Sequence, residues 1–195
     1  REPLITLLFR RGQFDDRSVT LVAWPLLWYA AGLVGHSAVE ILSRAFYAVQ
    51  DTRTPVTVSA LAMALNVILS LLFARWFAGW GWPPHGGLAA ANSLATTLEM
   101  VALLALMRRR LNGLETARLA RSVARNGLAA AGMVLALWGW LALPSVAASP
   151  WLAGAGGAAL GAATYWLLAF ALGSEHARLL PALAFARLRQ RRKIP

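Results

Sequence analysis

The sequence predicts an all-α protein: a polytopic transmembrane bundle of about five full membrane spans, preceded by the end of another helix. Of its 195 residues, 58% are hydrophobic and only 14% are charged, and the mean hydropathy is +0.56. Soluble domains carry about 25% charged residues, so this chain has too few charges to cover a surface that faces water. Its apolar runs are long and rich in Ala and Leu, which favours helices over strands.

A helix needs roughly 20 mainly apolar residues to cross about 30 Å of hydrocarbon. The segment Pro3–Phe9 resembles the end of such a helix, and we expect the chain to be the C-terminal part of a longer protein. The complete spans predicted after it are Val19–Tyr47, Thr54–Phe77, Gly87–Met107, Arg125–Leu143 and Pro150–Leu172. The first of them is long enough to tilt or to project beyond the bilayer.

The segments between the spans differ in composition. Gly79–Gly87 combines Pro, Gly and Trp, which is typical of a turn at the membrane interface, and Leu143–Pro150 is a short uncharged turn. Arg108–Arg125 is long and basic, and a short amphipathic helix is predicted over Leu114–Val123. The predicted regions are transmembrane helices at 1–110, a basic cytoplasmic connector at 111–124, two final spans at 125–174 and a basic cytoplasmic tail at 175–195.

The basic residues indicate which side of the membrane each connection faces. Nineteen Lys and Arg against eight Asp and Glu give a net charge of +11. Because cytoplasmic loops carry the excess of Lys and Arg, we predict that the Arg108–Arg125 connector, the turn at Asp51–Pro55 and the tail lie inside. The basic clusters flank apolar spans and do not interleave with exposed aromatic residues, so we expect no nucleic-acid partner.

The cytoplasmic turn between the first two spans carries its own helix-start signals. Asp51 is a candidate N-cap for the second span, with the hydroxyls of Thr52 and Thr54 as alternatives. Pro55 is compatible with the first turn of a helix. We interpret the segment as a capped inside turn, and a role in a hinge between conformations is a hypothesis.

Charged residues within the spans are the first candidates for function, because each costs roughly 3 kcal/mol or more in hydrocarbon. Glu40 and Arg44 lie four residues apart in the first span and share one helix face with His36. Two interpretations are open: a neutralised ion pair near the inner interface, or a face that lines a water-filled cavity and touches an anionic or proton-carrying ligand. Glu99 has no basic residue nearby in its own span, and it is the fourth cavity candidate.

Oxygen-bearing side chains on the second and third spans form another candidate site. Asn66 and Ser70 are four residues apart, and Asn92 lies on the next span, which would run antiparallel beside them. Such oxygen ligands suit a hard cation such as sodium. The alternative is hydrogen bonding between packed helices, so no metal site is firm from these residues.

Small residues mark the last span. Gly154, Gly157 and Gly161 lie close together in it, and Gly157 and Gly161 have the small-xxx-small spacing that lets helices approach closely. Helix packing is the main interpretation, and a smooth groove for a lipid tail is the alternative.

No catalytic constellation is recognisable. The chain has no cysteine, which excludes thiolate chemistry, and it lacks a nucleotide-binding glycine loop, an HExxH motif and a GxSxG motif. The carboxylates are scattered over different predicted helices. We therefore expect neither an enzyme nor a cofactor, and sodium or proton coupling stays open.

Four segments carry a resemblance to a known family. They are "EPLITLLFRRGQFD" (Glu2–Asp15), "GLVGHSAVEILSRAFYAVQDTRTPV" (Gly32–Val56), "ALNVILSLLF" (Ala64–Phe73) and "HGGLAAANSLATTLEM" (His85–Met100). In this order they resemble the lipid II flippase family, MurJ or MviN, of the multidrug/oligosaccharidyl-lipid/polysaccharide exporter superfamily. The segment from Arg44 to Pro55 is the most specific, whereas residues 111–195 resemble the family only in hydropathy and position.

The resemblance implies a whole protein of fourteen transmembrane helices, of which this chain would supply the end of helix nine and helices ten to fourteen. It implies a monomer in the bacterial cytoplasmic membrane that flips lipid II, the undecaprenyl-pyrophosphate precursor of peptidoglycan, by alternating access among membrane lipids. Some members hold sodium in this lobe, and Asn66, Ser70 and Asn92 occupy plausible matching positions. The last two helices would border a groove for the prenyl tail.

Two other functions are open at this point. A related exporter would move another polyprenyl-linked oligosaccharide or a small cation with the same lobe. A non-transporting structural membrane subunit would use the Gly and Ala faces for packing alone.

Overall fold

The computed structural model describes residues 1–12, 14–110, 116–147, 149 and 151–173, and all regular structure in these ranges is helical. The helices are α1 (Glu2–Phe9), α2 (Asp16–Ala48), α3 (Arg53–Gly79), α4 (Pro84–Arg110), α5 (Thr116–Leu141), α6 (Pro144–Ala147) and α7 (Gly157–Ala171), with a π-helical segment at Leu152–Gly156 before α7. The predicted all-α fold is confirmed. The chain forms two compact units, Arg1–Leu114 and Glu115–Pro195.

Four stretches of the described chain are long and apolar enough to cross a membrane: α2, α3, α4 and Leu152–Ala171. The protein is therefore a polytopic helical membrane protein. The predicted span Arg125–Leu143 is largely helical within α5, yet α5 is not among the four. The apolar part of α5 begins only at Gly127 and rises about 22 Å to the end of the helix, which is short of the hydrocarbon thickness.

The predicted amphipathic helix and the predicted fourth span belong to one helix, α5. The amphipathic helix predicted over 114–123 begins at Thr116 and continues without a break into the predicted fourth span, because both belong to α5. Residues 111–115 and the predicted tail at 175–195 lie outside the described residues.

Helix α2 begins at a well-defined cap and is longer than a bilayer requires. One carboxylate oxygen of Asp15 accepts hydrogen bonds from the backbone N–H and the hydroxyl of Ser18, both at 2.8 Å. These bonds favour the charged carboxylate and lower the pKa of Asp15. The 33 residues of α2 extend over about 50 Å at 1.5 Å per residue, as the length of the first predicted span indicates.

A proline in α2 leaves one carbonyl without its helical donor, and another helix supplies a replacement. Pro25 has no N–H, so the carbonyl of Leu21 four residues earlier receives no bond from within α2. The Nε2–H of His85, in the first turn of α4, donates to this carbonyl at 2.9 Å. His85 therefore stabilises α2 from outside at the point where its backbone ladder is interrupted.

Helix α4 is the centre of the first unit. It packs along both α2 and α3, whereas α2 and α3 make few contacts with each other. Glycines allow the close approach on both sides. A Cβ on Gly32 of α2 would lie 2.9 Å from the Cα of Ser93, and a Cβ on Gly87 of α4 would lie 2.6 Å from the carbonyl of Phe73.

Two apolar clusters lie towards opposite ends of this unit. Near the α2–α3 turn, Phe46 of α2 packs in a buried cluster with Leu103 and Met107 of α4. At the other end, aromatic rings from α2, α3 and the α3–α4 turn meet mostly edge to face, with centroids 4.7–6.1 Å apart, an arrangement that aromatic pairs prefer. The rings are those of Trp24, Trp28, Trp76, Phe77, Trp80 and Trp82.

The second unit is built on contacts between α5 and α7. Ala129 of α5 and Ala169 of α7 are both buried in its small core. The guanidinium of Arg125 donates to the carbonyl of Gly173 at 3.2 Å, just after the end of α7. Carbonyls at a helix C-terminus have no intrahelical donors, so this bond ties the start of the apolar part of α5 to the end of α7.

Candidate polar cavity between α2, α3 and α4

A polar cavity of about 290 Å³ lies between the three long helices of the first unit. Each helix contributes polar side chains to it, although all three are apolar enough to span a membrane. The lining residues are His36 of α2, Ser59, Ala62, Met63 and Asn66 of α3, and Asn92, Ala95, Thr96 and Glu99 of α4. Because polar groups are costly in hydrocarbon, a cavity that gathers them from three helices is the candidate functional site.

A chain of hydrogen bonds runs across the cavity wall and joins all three helices. The hydroxyl of Ser70 donates to Asn66 Oδ1 at 3.2 Å, and Asn66 Nδ2 donates to Asn92 Oδ1 at 3.2 Å. Asn92 Nδ2 then donates to Nε2 of His36 at 3.2 Å. Since each amide in the chain accepts on one side and donates on the other, His36 Nε2 must be the acceptor at its end.

Helix α4 also supports His36 from the next turn. The hydroxyl of Thr96 lies 3.4 Å from the same Nε2 atom. Both Asn92 Nδ2 and the Thr96 hydroxyl therefore lie within hydrogen-bonding distance of His36 Nε2. His36 thus holds α2 against two successive turns of α4.

The carboxylate of Glu99 is the acidic group of the cavity. Its Oε1 accepts a short hydrogen bond from the hydroxyl of Ser59 on α3. No Lys or Arg forms an ion pair with Glu99 in the described part of the chain. The sequence indicated that Glu99 has no basic residue nearby in its own span, whereas its hydroxyl partner on α3 is a finding of the structure.

Glu40 and Arg44 form the ion pair that their spacing indicated, but they do not line this cavity. Their side chains are 65% and 75% exposed within the chain. The four candidates taken from the charged residues therefore divide in two. His36 and Glu99 both line the cavity, whereas Glu40 and Arg44 lie on an open face of α2.

The predicted sodium residues Asn66, Ser70 and Asn92 also lie together. They are already hydrogen-bonded to one another, which uses much of the capacity of their oxygen atoms to bind a cation. The amide oxygens of Asn66 and Asn92 each accept a hydrogen bond within the trio, which Ser70 completes. The carboxylate in the same cavity, Glu99, is bonded to Ser59 instead. Hard cations prefer sites with carboxylate oxygens, so these three residues alone make a weak cation site, and coordination stays a prediction.

The predicted cytoplasmic turn is anchored to the end of α4. Asp51 accepts from the backbone N–H of Thr54 at 3.1 Å and from its hydroxyl at 2.7 Å, and it forms an ion pair with Arg110. The bonds from Thr54, followed by Arg110, hold the pKa of Asp51 below its ordinary value. Asp51 therefore makes the capping hydrogen bonds at the start of α3. The N-cap position itself is Thr52, one of the two predicted alternatives, whose side chain makes no capping bond.

Pro55 is almost completely buried behind this turn. A second cavity of about 340 Å³ opens beside it, lined by Phe46, Asp51, Thr54, Leu106, Arg109 and Arg110. Both ends of α3 are thus tied to α4, since Gly87 packs against the other end.

The three glycines of the last span are all buried. A Cβ on Gly161 would lie 3.3 Å from a methyl carbon of Leu137, and one on Gly157 would lie 3.8 Å from the same side chain. Leu137 belongs to α5, so this side of α7 faces a helix. Gly154 lies in the π-helical segment.

The structure adds residues that were not singled out from the sequence. Ser59 is the partner of Glu99, and His85 is the partner of the Leu21 carbonyl. A signal for Ser59 is present in retrospect: it lies seven residues, about two helical turns, before Asn66 on the same face of α3. Arg110 is 59 residues from Asp51 in sequence, and no local pattern predicts such a pairing.

Comparison with known proteins identifies the family. The sequence profile described as lipid II flippase MurJ matches residues 2–155. The probable lipid II flippase MurJ of Vibrio cholerae is 36% identical over 102 residues, which cover 52% of this chain and 18% of that protein. The corresponding protein of Rhizobium meliloti is 32% identical over 179 residues, covering 88% of this chain and 32% of that protein. No solved structure gives a significant match.

A third relative, lipid II flippase MurJ of Burkholderia cenocepacia, is 32% identical over 108 residues, covering 55% of this chain and 20% of that protein. The chain thus spans less than a third of the length of each of these relatives. The profile match includes the three helices that build the polar cavity. The resemblance seen in the sequence is confirmed: the chain belongs to the lipid II flippase MurJ family, whose members are transporters and not enzymes.

Proposed function

We propose that this chain works as part of a lipid II flippase in peptidoglycan synthesis. In this proposal the protein moves an undecaprenyl-pyrophosphate precursor from the cytoplasmic to the outer leaflet of the bacterial cytoplasmic membrane. The observation that carries the proposal is the family match over residues 2–155. The polar cavity supports it, because a bundle that only filled a membrane would have little reason to gather polar groups from three spans.

The transport problem explains why such a protein needs both polar and apolar surfaces. The charged head group has to cross about 30 Å of hydrocarbon without being exposed to it. The prenyl tail is apolar and can stay in the hydrocarbon throughout. Transporters of this kind rock one lobe against another around a site near the middle of the membrane. The membrane potential supplies roughly 2.3 kcal/mol per charge and 100 mV, and sodium or proton coupling is a further source of energy.

We propose separate roles for the two groups of charged residues. Glu40 and Arg44 lie on the open face of α2, and this face would turn towards the substrate path of the whole flippase, where the rest of the protein covers it. His36 and Glu99 lie inside the lobe and would serve its conformational change. Asn66, Ser70 and Asn92 would join α3 to α4, with sodium as an optional ligand.

The second unit has a proposed role towards the lipid tail. One side of α7 packs on α5 through Gly157 and Gly161, and its other side carries exposed apolar residues, among them Leu167 and Phe170. We propose that this apolar side borders the groove for the prenyl chain. The working form would be a monomer surrounded by membrane lipids.

Complementation tests the proposed function. The full gene, which encodes this chain together with the rest of the flippase, is expressed in a bacterium depleted of its own lipid II flippase, and growth is expected to be restored. Absence of growth, with the protein present in the membrane at the level of a functional flippase, would refute the assignment to lipid II.

A matched pair of variants tests the role of the α2 face. Replacing both Glu40 and Arg44 with Gln removes the charges without a large change in volume, and this variant is expected to reach the membrane but fail to restore growth. Leu61 of α3 is 71% exposed, and Leu61→Ala should restore growth like the unchanged protein. Growth of the double Gln variant would refute the role of this face.

A further inference from the structure

We infer that α2 contains a hinge at Pro25 and that α4 holds this hinge in one position through hydrogen bonds to the α2 backbone. The inference concerns a movement within the first unit, and only its use in transport rests on the proposed function. Pro25 removes one hydrogen bond from the interior of a helix of 33 residues. Sharp bends in helices occur mostly at such positions, so α2 bends most easily at this residue.

The part of α2 before Pro25 is joined to α1 by its own small core. Ile5 of α1 packs in a buried cluster with Val19 and Ala23 of α2. We call α1 together with Asp16–Trp24 the N-terminal arm. Because this cluster lies entirely within the arm, the arm can change its angle at the proline without losing its own core.

The part of α2 after Pro25 is packed closely on α4. Gly32 and Gly35 are both buried there, and a Cβ on Gly32 would lie 2.9 Å from the Cα of Ser93. Phe46, near the other end of α2, is almost completely buried as well. This part of α2 has no room to tilt against α4, so a bend at the proline moves the arm.

Two side chains of α4 donate to backbone carbonyls of α2 on either side of Pro25. The Nε2–H of His85 donates to the carbonyl of Leu21 at 2.9 Å. The hydroxyl of Ser93 donates to the carbonyl of Trp28 at 2.7 Å. Leu21 belongs to the arm, and Trp28 lies seven residues later, about two turns along the same face of α2. The two bonds therefore span the hinge and fix the angle of the arm.

Two buried indole N–H groups beside the hinge favour a second position of the arm. Trp24, the last residue of the arm, and Trp28 both bury Nε1 without an acceptor in the described part of the chain. The Trp24 indole lies against α4, since a Cβ on Gly86 would lie 2.1 Å from its Nε1. A buried donor without a partner is unfavourable. Movement of the arm takes Trp24 away from Gly86 and lets its N–H reach water or lipid head groups, as Trp does at membrane interfaces.

The arm is long enough for a small bend to have a large effect. Its α2 portion, nine residues from Asp16 to Trp24, rises about 13 Å. A bend of about 20°, the lower limit of a sharp kink, displaces the start of α2 by about 5 Å over this length. In the proposed flippase, a displacement of this size changes the opening at one end of the lobe, as alternating access requires.

Distances between spin labels test the hinge in the whole flippase, reconstituted in lipid nanodiscs. This chain has no cysteine, so Arg17→Cys on the arm and Leu72→Cys on α3, both at exposed positions, supply the label sites once any cysteine elsewhere in the protein is replaced. His85→Phe combined with Ser93→Ala removes both bonds from α4 and should shift the distance distribution by up to about 5 Å. Adding Pro25→Ala restores the helical N–H and should return the distribution to that of the unchanged protein.

Thr57→Ala is the matched control, because the hydroxyl of Thr57 donates to carbonyls of its own helix. It should leave the distances unchanged. Should the double variant not fold, as helical circular dichroism reports, His85→Phe and Ser93→Ala are measured singly, and each is expected to give the same shift in a smaller fraction of the molecules.

Three results would overturn the inference. They are a distribution that stays unchanged in folded variants without the α4 bonds, a shift that persists after Pro25→Ala, and an equal shift in Thr57→Ala. A shift that depends on Pro25, found in a protein that fails the complementation test, would refute lipid II transport and leave the hinge standing. Growth in that test without any shift would refute the hinge alone.

Discussion

Replacing His85 with Phe is expected to destabilise the first unit by about 0.5–1.5 kcal/mol, the net contribution of a typical intramolecular hydrogen bond. The acceptor is the carbonyl of Leu21, which lost its helical donor to Pro25 and now receives the Nε2–H of His85 at 2.9 Å. Phe keeps an aromatic ring of similar size at this position but cannot donate. The penalty is therefore assigned to the missing hydrogen bond and not to a cavity.

A double-mutant cycle isolates this bond. In a Pro25→Ala background, residue 25 regains an N–H and can donate to Leu21 within α2, so the donor from His85 becomes redundant. His85→Phe should then cost little, and the difference between the two backgrounds should be about 0.5–1.5 kcal/mol, within the range measured for contacting residues. Unfolding in mixed detergent micelles, followed by helical circular dichroism, gives the four free energies that the cycle needs.

The refuting result is a cost of His85→Phe that is the same in both backgrounds. It would mean that His85 acts through packing beside Trp24 or Trp82, or that water already satisfies Leu21 at this end of the helix. His85→Gln is an informative third variant, because it retains a donor and should recover part of the stability that Phe loses.

Three further predictions concern the contacts of α4 and the turn. Gly87→Ala should lower stability by about 1–3 kcal/mol through overpacking, whereas Gly127→Ala, with nothing within 4 Å of the added carbon, should be neutral or stabilising; unfolding in micelles compares them. Asn92→Leu breaks two interhelical bonds and should cost about 1–3 kcal/mol, while a lipid-facing Leu61→Ala in the same assay should change stability less. Because the pKa of Asp51 is lowered in the folded protein, its stabilisation is complete above the ordinary Asp pKa and is lost as the pH falls through the lowered value. Thermal unfolding of the unchanged protein should therefore lose more stability on acidification than Asp51→Asn does, and parallel pH profiles would contradict this.

Helix positions and local pairs were predictable because they follow from spacing along one helix. The apolar runs marked α2, α3 and α4 to within a few residues, and the spacing of Glu40 and Arg44 led directly to their ion pair. Asp51 was recognisable as a capping residue because its partner Thr54 is three residues away. In each case the interacting groups are neighbours in sequence, so helix geometry alone brings them together.

Contacts between helices were harder to predict, for a physical reason. A helix that is apolar on all sides has no polar face to fix its rotation about its axis, so the sequence does not say which residues of α3 meet α4. The pairing of Ser59 with Glu99 depends on that rotation. The rotation of α2 likewise decides that Glu40 lies away from the cavity, although Glu40 is only one turn from His36. The predicted fourth span ends at Leu143, two residues beyond the end of α5 at Leu141, because the last turn of a helix has no distinct signal in an apolar run.

The position of α4 between α2 and α3 has a consequence for how the protein is made. The two earlier helices leave the ribosome first, yet they have few contacts with each other. Until α4 enters the bilayer, His36 and Asn66 have no interhelical partners among the described residues. Membrane insertion of this part of the protein therefore passes through a stage in which these side chains lack their partners within the first unit, and the synthesis of Asn92 and Thr96 ends that stage.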